Sequence, residues 1–187
     1  MKKFKVLISI CAFLFVCILC TEVFAFPPSG STLYDGIDVS EWQGEIDWER
    51  VIDSGIRIAY IRASEGSNYI DPDAMRNYYG AKENGIKVGF YHYLTARNEA
   101  EALEQAEFFV SVVKGLDIDC RLAMDFESFG NLGRSEINAI SETFLEEVER
   151  LSGKEVIIYS DAYNAAYTFS SELADRYPVW VADYEVE

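Results

Sequence analysis

Asp125-Phe126-Glu127 holds the residue types best suited to chemistry. In a strand, side chains two apart leave the same face with Cα atoms about 6–7 Å apart, so Asp125 and Glu127 project together and Phe126 points away. Two carboxyl groups that close repel, and apolar surroundings penalise charge, so one keeps its proton to a higher pH. A protonated acid beside an ionised one is the arrangement that cleaves glycosidic bonds. An isolated Asp-x-Glu more often does no more than end a strand at the surface. Here the run Leu122-Ala-Met124 buries the approach to the pair.

Gly36-Ile-Asp-Val-Ser-Glu-Trp-Gln-Gly44 sets a third carboxylate, Asp38, on a strand, followed by a turn with Trp42 and Gln43. Asp38 is suited to orienting a substrate amide or stabilising cationic charge, and equally to capping a helix or pairing with a cation. Glu65 and Asp183 fall near the ends of two further strands. Tyr91, His92, Tyr93, Tyr159, Trp180 and Tyr184 crowd the same edge. Sugar rings present apolar C–H faces, so a minority of these aromatics are expected to line a saccharide groove and the rest to be core. His92 is the single histidine, which excludes a His-rich metal site and gives little support to a Ser–His triad. A hydrogen-bonded structural histidine is its plainer role.

Strands are expected at Tyr34–Ser40, Ile56–Ser64, Val88–Leu94, Leu122–Glu127, Val156–Ser160 and Val179–Tyr184. Each is mostly apolar and bounded by Gly, Pro or charge, as for strands covered on both faces. Helices fall between them. Asp47–Ser54 stops at Gly55, and Asp73–Asn84 stops at Gly85. Glu99–Val113 carries a stripe of Ala102, Ala106, Phe109, Val110 and Val113. Ser135–Leu151 carries Ile137, Ile140, Phe144, Val148 and Leu151, with Ser135 as the expected N-cap and Gly153 past the end. A weaker helix is expected within Asp161–Ala174. Such alternation implies an α/β fold with a parallel sheet. No phosphate-type Gly-rich loop follows the first strand, which lowers the nucleotide-binding option. Carboxylates recur instead at the strand C-termini, where β/α barrels build their sites.

The start of the chain has the grammar of an export signal: a basic Met1–Lys5, an apolar Val6–Cys20, and Val23-Phe-Ala25 before a cut after Ala25. Phe26–Thr32 reads as a flexible lead-in, with the catalytic domain from Tyr34 to Glu187. Cys11, Cys17 and Cys20 leave with the signal, so Cys120 has no partner for an intrachain bridge. Removing Lys2, Lys3, Lys5 and Glu22 from 16 basic and 32 acidic residues leaves 13 against 31, a net charge of −18. Nucleic acid is excluded as a partner on that charge, because phosphate binding is carried by Lys and Arg.

Five motifs follow in order: Asp38-Val-Ser-Glu-Trp-Gln-Gly44, Ile61-Arg-Ala-Ser-Glu-Gly66, Val88-Gly-Phe-Tyr-His-Tyr93, Leu122-Ala-Met-Asp-Phe-Glu127 and Pro178-Val-Trp-Val-Ala182. Together they resemble the glycoside hydrolase family 25 lysozymes, which are N-acetylmuramidases. The resemblance implies an irregular TIM-like β/α barrel of eight strands and five helices. It implies hydrolysis of the β-1,4 bond between N-acetylmuramic acid and N-acetylglucosamine in peptidoglycan, without metal or cofactor. By motif, Glu127 corresponds to the general acid. Asp125 assists by stabilising the transition state or holding the substrate N-acetyl group, and Asp38 is the third catalytic carboxylate. Glu65, Tyr91, Tyr159, Trp180 and Asp183 are the expected substrate-binding residues. Peptidoglycan glycan strands are the expected partner of a monomer, secreted or wall-associated, with no stable membrane insertion after signal removal; an uncleaved membrane anchor is the alternative for the N-terminal segment. Family members add two strands beyond Trp-Val-Ala, so about six strands are expected here. A fragment, or a non-catalytic peptidoglycan-binding remnant, is the alternative expectation.

Overall fold

The structure is a computed structural model that describes residues 32–182. The expected export signal, most of the lead-in, Asp183 and Tyr184 lie outside the described residues. Among those described, no helix is long and apolar enough to cross a membrane.

The strands are β1 (Gly36–Val39), β2 (Ile58–Glu65), β3 (Tyr69–Ile70), β4 (Lys87–Tyr93), β5 (Leu122–Asp125), β6 (Val156–Asp161) and β7 (Val179–Ala182). The helices are α1 (Trp48–Asp53), α2 (Ala74–Glu83), α3 (Glu99–Val113), α4 (Arg134–Ser152), α5 (Ala162–Tyr167) and α6 (Ser171–Arg176). Six strands run parallel in the order β1-β2-β4-β5-β6-β7, and β3 lies antiparallel on the end of β2. The order never reverses. A doubly wound sheet reverses at a switch point, whereas a barrel adds each strand on the same side of the last.

The sheet is strongly curled. β2 and β7 are separated by four steps of the strand order, about 19 Å in a flat sheet at the usual strand spacing. Yet the rings of Tyr60 on β2 and Trp180 on β7 have centroids only 4.9 Å apart. Tyr159 on β6 meets the same indole edge-on, also at 4.9 Å. These inward residues face each other across the hollow of a half-barrel, so the TIM-like expectation holds.

The helices form the outer layer. Ala102, Ala106, Phe109 and Val113 of α3 are buried, as are Ile137, Ile140, Phe144 and Val148 of α4. Phe109 and Phe144 lie 6.2 Å apart, nearly parallel, where the two helices meet. Two residues depart from the expected stripes. Val110 is only partly buried, and Leu151, in the last turn of α4, is exposed. α4 begins one residue earlier than expected. Gly133 takes the N-cap position, and its N–H donates to the Glu136 carboxylate at 2.8 Å. Ser135 is thus already inside the first turn. Gly153 ends α4 with φ +65°, the left-handed conformation that glycine adopts without steric cost.

The segment expected as one weak helix is two. Phe169 turns into the core, and the Ser170 hydroxyl caps α6 through the N–H of Leu173 at 3.2 Å. β3 was not expected from sequence. Its two residues are both exposed and too short to show any periodicity.

Gly89 sits opposite Tyr60 in the β2–β4 register. A Cβ at Gly89 would lie 2.5 Å from Cε1 of the Tyr60 ring. Gly89→Ala should therefore cost about 1–3 kcal/mol of stability by overpacking. It should also push the Tyr60 ring out of its present place. A urea titration checks the first, and a midpoint unchanged from wild type would contradict the packing described here.

Candidate active site

The C-terminal ends of the parallel strands surround a cleft of about 220 Å³, lined by Asp38, Arg62, Tyr91, Tyr93, Asp125, Glu127, Tyr159 and Trp180. The pairing registers explain the convergence. Arg62 pairs with Tyr91, Tyr93 with Asp125, Asp125 with Tyr159, and Tyr159 with Trp180. Neighbouring positions in a parallel register share a face, so these side chains enter the hollow together.

Asp125 is the last residue of β5 and is buried, with Phe126 fully buried beyond it. The strand stops there, two residues short of the expected end, and Glu127 is exposed. The two acids nonetheless meet, because Asp125 hydrogen-bonds the Glu127 carboxyl. Burial is the largest influence on Asp125. The charge of Glu127, their hydrogen bond and the charge of Asp38 add to it, and Arg62 opposes. The sum raises Asp125 above the usual carboxylate range. Oδ1 of Asp125 is buried and makes no hydrogen bond within the described protein. One sheltered carboxyl beside one exposed carboxyl is an arrangement suited to acid–base chemistry.

Asp38, Tyr91, Tyr159 and Trp180 of the expected set join this cleft. Asp38 lines it and is solvent-exposed. Burial raises the Tyr91 phenol well above its ordinary value, so it stays a neutral hydrogen-bonding group. Glu65 does not line the cleft. It ends β2 at the rim, 3.6 Å from Arg62. Asp183 lies outside the described residues. Trp42 projects into solvent, 79% exposed, while Gln43 is structural: its Oε1 accepts the Ser40 N–H at 2.7 Å.

Two cleft residues were not singled out from sequence. Tyr93 was grouped only with the aromatics. Arg62 left a clear signal, a cation inside the apolar run Ile58–Ser64, which has to find carboxylates to be buried there. It finds Asp71 at 2.9 Å and Glu41 at 2.7 Å. Among the described residues, no three His, Cys, Asp or Glu side chains are gathered in a way that would hold a metal ion.

His92 lies on the opposite face of β4 from the cleft. It is fully buried, its ring 5.4 Å from Phe109 and 5.3 Å from Phe144. Nδ1 is 2.9 Å from the Ser64 hydroxyl, and Nε2 is 3.4 Å from Gln105 Oε1. It is a structural histidine between sheet and helices.

The comparisons with known proteins agree with this geometry. The model of the glycosyl hydrolases family 25 matches residues 37–187, and the chain belongs to that family. Protein YegX of Escherichia coli (strain K12) is 38% identical over 162 residues, a match covering 84% of this chain and 58% of YegX. The autolytic lysozyme of Clostridium acetobutylicum is 37% identical over 153 residues, covering 81% of this chain and 45% of the lysozyme. The solved structure of a bacterial lysozyme from Streptomyces coelicolor matches with a TM-score of 0.71 at 30% identity, over 84% of this chain and 77% of that one. The chain thus spans little more than half the length of YegX and less than half that of the autolytic lysozyme.

Burial pushes His92 down to about 3, with only the Gln105 contact opposing. An unfolded histidine binds its proton near about 6.5. Protonation therefore favours the unfolded chain. The stability associated with neutral His92 is intact above about pH 6.5 and is lost as the pH falls toward 3, at up to about 1.4 kcal/mol per pH unit. Urea midpoints of wild type and His92→Phe over about pH 4 to 7 measure this. Wild type should lose stability more steeply, by close to one proton. Parallel curves would clear His92 of any part in acid sensitivity.

Proposed function

We propose that this chain is the catalytic part of an N-acetylmuramidase, hydrolysing the β-1,4 bond between N-acetylmuramic acid and N-acetylglucosamine in peptidoglycan. The observation that carries this reading is the buried carboxyl of Asp125 beside the exposed carboxyl of Glu127 in one aromatic-walled cleft. Family membership supports the bond type, and the autolytic lysozyme and bacterial lysozyme among its relatives support the substrate.

In this scheme Glu127 is the general acid, because the exposed member of the pair is the one a glycosidic oxygen can reach. Asp125 is its proton reservoir. A bound glycan displaces water from Glu127, and the Asp125 proton passes along their existing hydrogen bond. Glu127 then delivers it to the departing sugar oxygen. Asp125 is left anionic beneath the positive charge that develops at the anomeric centre, which it stabilises until water adds to the anomeric carbon and the proton that water sheds returns to the carboxyl pair. Asp38 adds negative charge to the cleft. Tyr91, Tyr159 and Trp180 offer ring faces to the sugars, and Glu65 serves at the rim. In the same reading residues 1–25 export the chain to the cell wall and residues 34–187 form the acting domain, a monomer that the acidic charge keeps off nucleic acid.

Clearing of a cell-wall suspension tests the scheme. Wild type should lower turbidity and release fragments with muramic acid at the new reducing end. Glu127→Gln should lose at least about a hundredfold, the usual weight of a general acid. Asp125→Asn should also lose activity, since an amide cannot pass the proton on. Equal clearing by wild type and Glu127→Gln removes Glu127 from the mechanism, and binding of walls without clearing by wild type indicates a non-catalytic module.

A further inference from the structure

Arg62 has no part in that scheme, yet it occupies an expensive position. Its side chain is 9% exposed, on a strand covered from both sides. Three carboxylates from three stretches of chain meet it. Glu41, in the turn after β1, takes Nη2 at 2.7 Å. Asp71, in the loop after β3, takes Nε at 2.9 Å. Glu65 stands 3.6 Å from Nη1. The grip extends further. Asp71 is fully buried and also accepts the backbone N–H of Glu41 at 3.0 Å and of Asp73 at 2.9 Å. Glu41 accepts the Tyr69 hydroxyl at 2.6 Å. One planar guanidinium thus pins the turn after β1, the β3 hairpin and the entry to α2.

Among the described residues, the same group is the one cation that lines the cleft. Asp125 is faced by Asp38 from β1, Arg62 from β2, Tyr91 and Tyr93 from β4, Glu127 beyond β5 and Tyr159 from β6. Of the charges acting on it, Arg62 is the one that opposes protonation.

We propose that Arg62 is a positioning residue of this site, which fixes the rim of the cleft through Glu41 and Asp71 and holds a single positive charge against Asp38, Asp125 and Glu127. For turnover the proposal rests on the muramidase reading. Its effect on the carboxyl pair does not. Without Arg62 the cation disappears and the charges of Glu41 and Asp71 are uncovered, and both changes tighten the hold of Asp125 on its proton. Neutralising Glu41 does the reverse, because it leaves Arg62 less compensated. A purely structural arginine predicts no such opposition of sign.

The titration of the Asp125 carboxyl carbon, followed by NMR in the full chain, is the test. Arg62→Met should move its midpoint up by about one unit or more, as loss of a neighbouring opposite charge does. Arg62→Lys should bring it most of the way back. Glu41→Gln, a change at a partly exposed residue that keeps the fold, should move it down. An unmoved midpoint in folded Arg62→Met, or an upward movement in Glu41→Gln, overturns the proposal. If Arg62→Met does not fold, the Lys and Gln variants decide it. Wall clearing is the second readout. The alkaline limb of the pH profile should move upward in Arg62→Met and return in Arg62→Lys, and a limb that stays in place in active enzyme also sinks the idea. A wild type that fails to clear walls would count against the muramidase reading alone, while the NMR titration would still judge Arg62.

Discussion

Two acids on one strand end feel different amounts of water, and the rest of the site depends on that difference. Asp125 is 7% exposed, while Glu127, two residues on, stands in solvent. Equal burial would leave the proton undivided between equivalent groups. Equal exposure would leave both ionised and merely repelling. Because burial dominates the hold of Asp125 on its proton, the asymmetry follows from where β5 stops, at the boundary between the packed sheet and the open cleft. The difference in surroundings between two chemically similar side chains is therefore a product of backbone placement.

That placement needs a curled sheet. Each strand joins on the same side of its predecessor, and helices cover the outer face, so the inward residues of strands far apart in the order come within contact distance. The meeting of Tyr60 with Trp180 is the direct mark of this. Such closeness requires glycine at position 89, because the Tyr60 ring occupies the space a side chain there would take. Behind the sheet, His92, Ser64, Gln105 and the two phenylalanines of α3 and α4 seal the other face of β4. One strand thereby presents tyrosines to the cleft and a buried polar cluster to the helices.

Much of this was legible in the amino-acid sequence. Strands covered on both faces show as unbroken apolar runs, and α3 and α4 show as stripes because each buries one side. The Asp-x-Glu pair and Asp38 were visible for the same reason, as charges at the ends of such runs. What escaped notice depends on contacts distant in the chain. β3 exists only because it can borrow the edge of β2. The break between α5 and α6 follows from Phe169 finding a place in the core. That Asp125 is the buried acid and Glu127 the exposed one depends on how far the surrounding strands rise around each. Arg62 was readable as an anomaly, but its partners lie in the turn after β1 and the loop after β3, where no local pattern points to them.

The registry of β2 against β4 slips between Arg62 and Ser64, leaving Ala63 as an extra residue. Bulges of this kind re-aim side chains beside active sites. Here the slip lets Arg62 face the hollow next to Tyr91 while Ser64 faces backward to His92. Strict alternation would have turned Ser64 into the hollow as well and taken away the partner of the imidazole Nδ1. Ala63, the surplus residue, is thus what lets two side chains two positions apart in the chain serve opposite faces of the strand, Arg62 the cleft wall and Ser64 the support behind it.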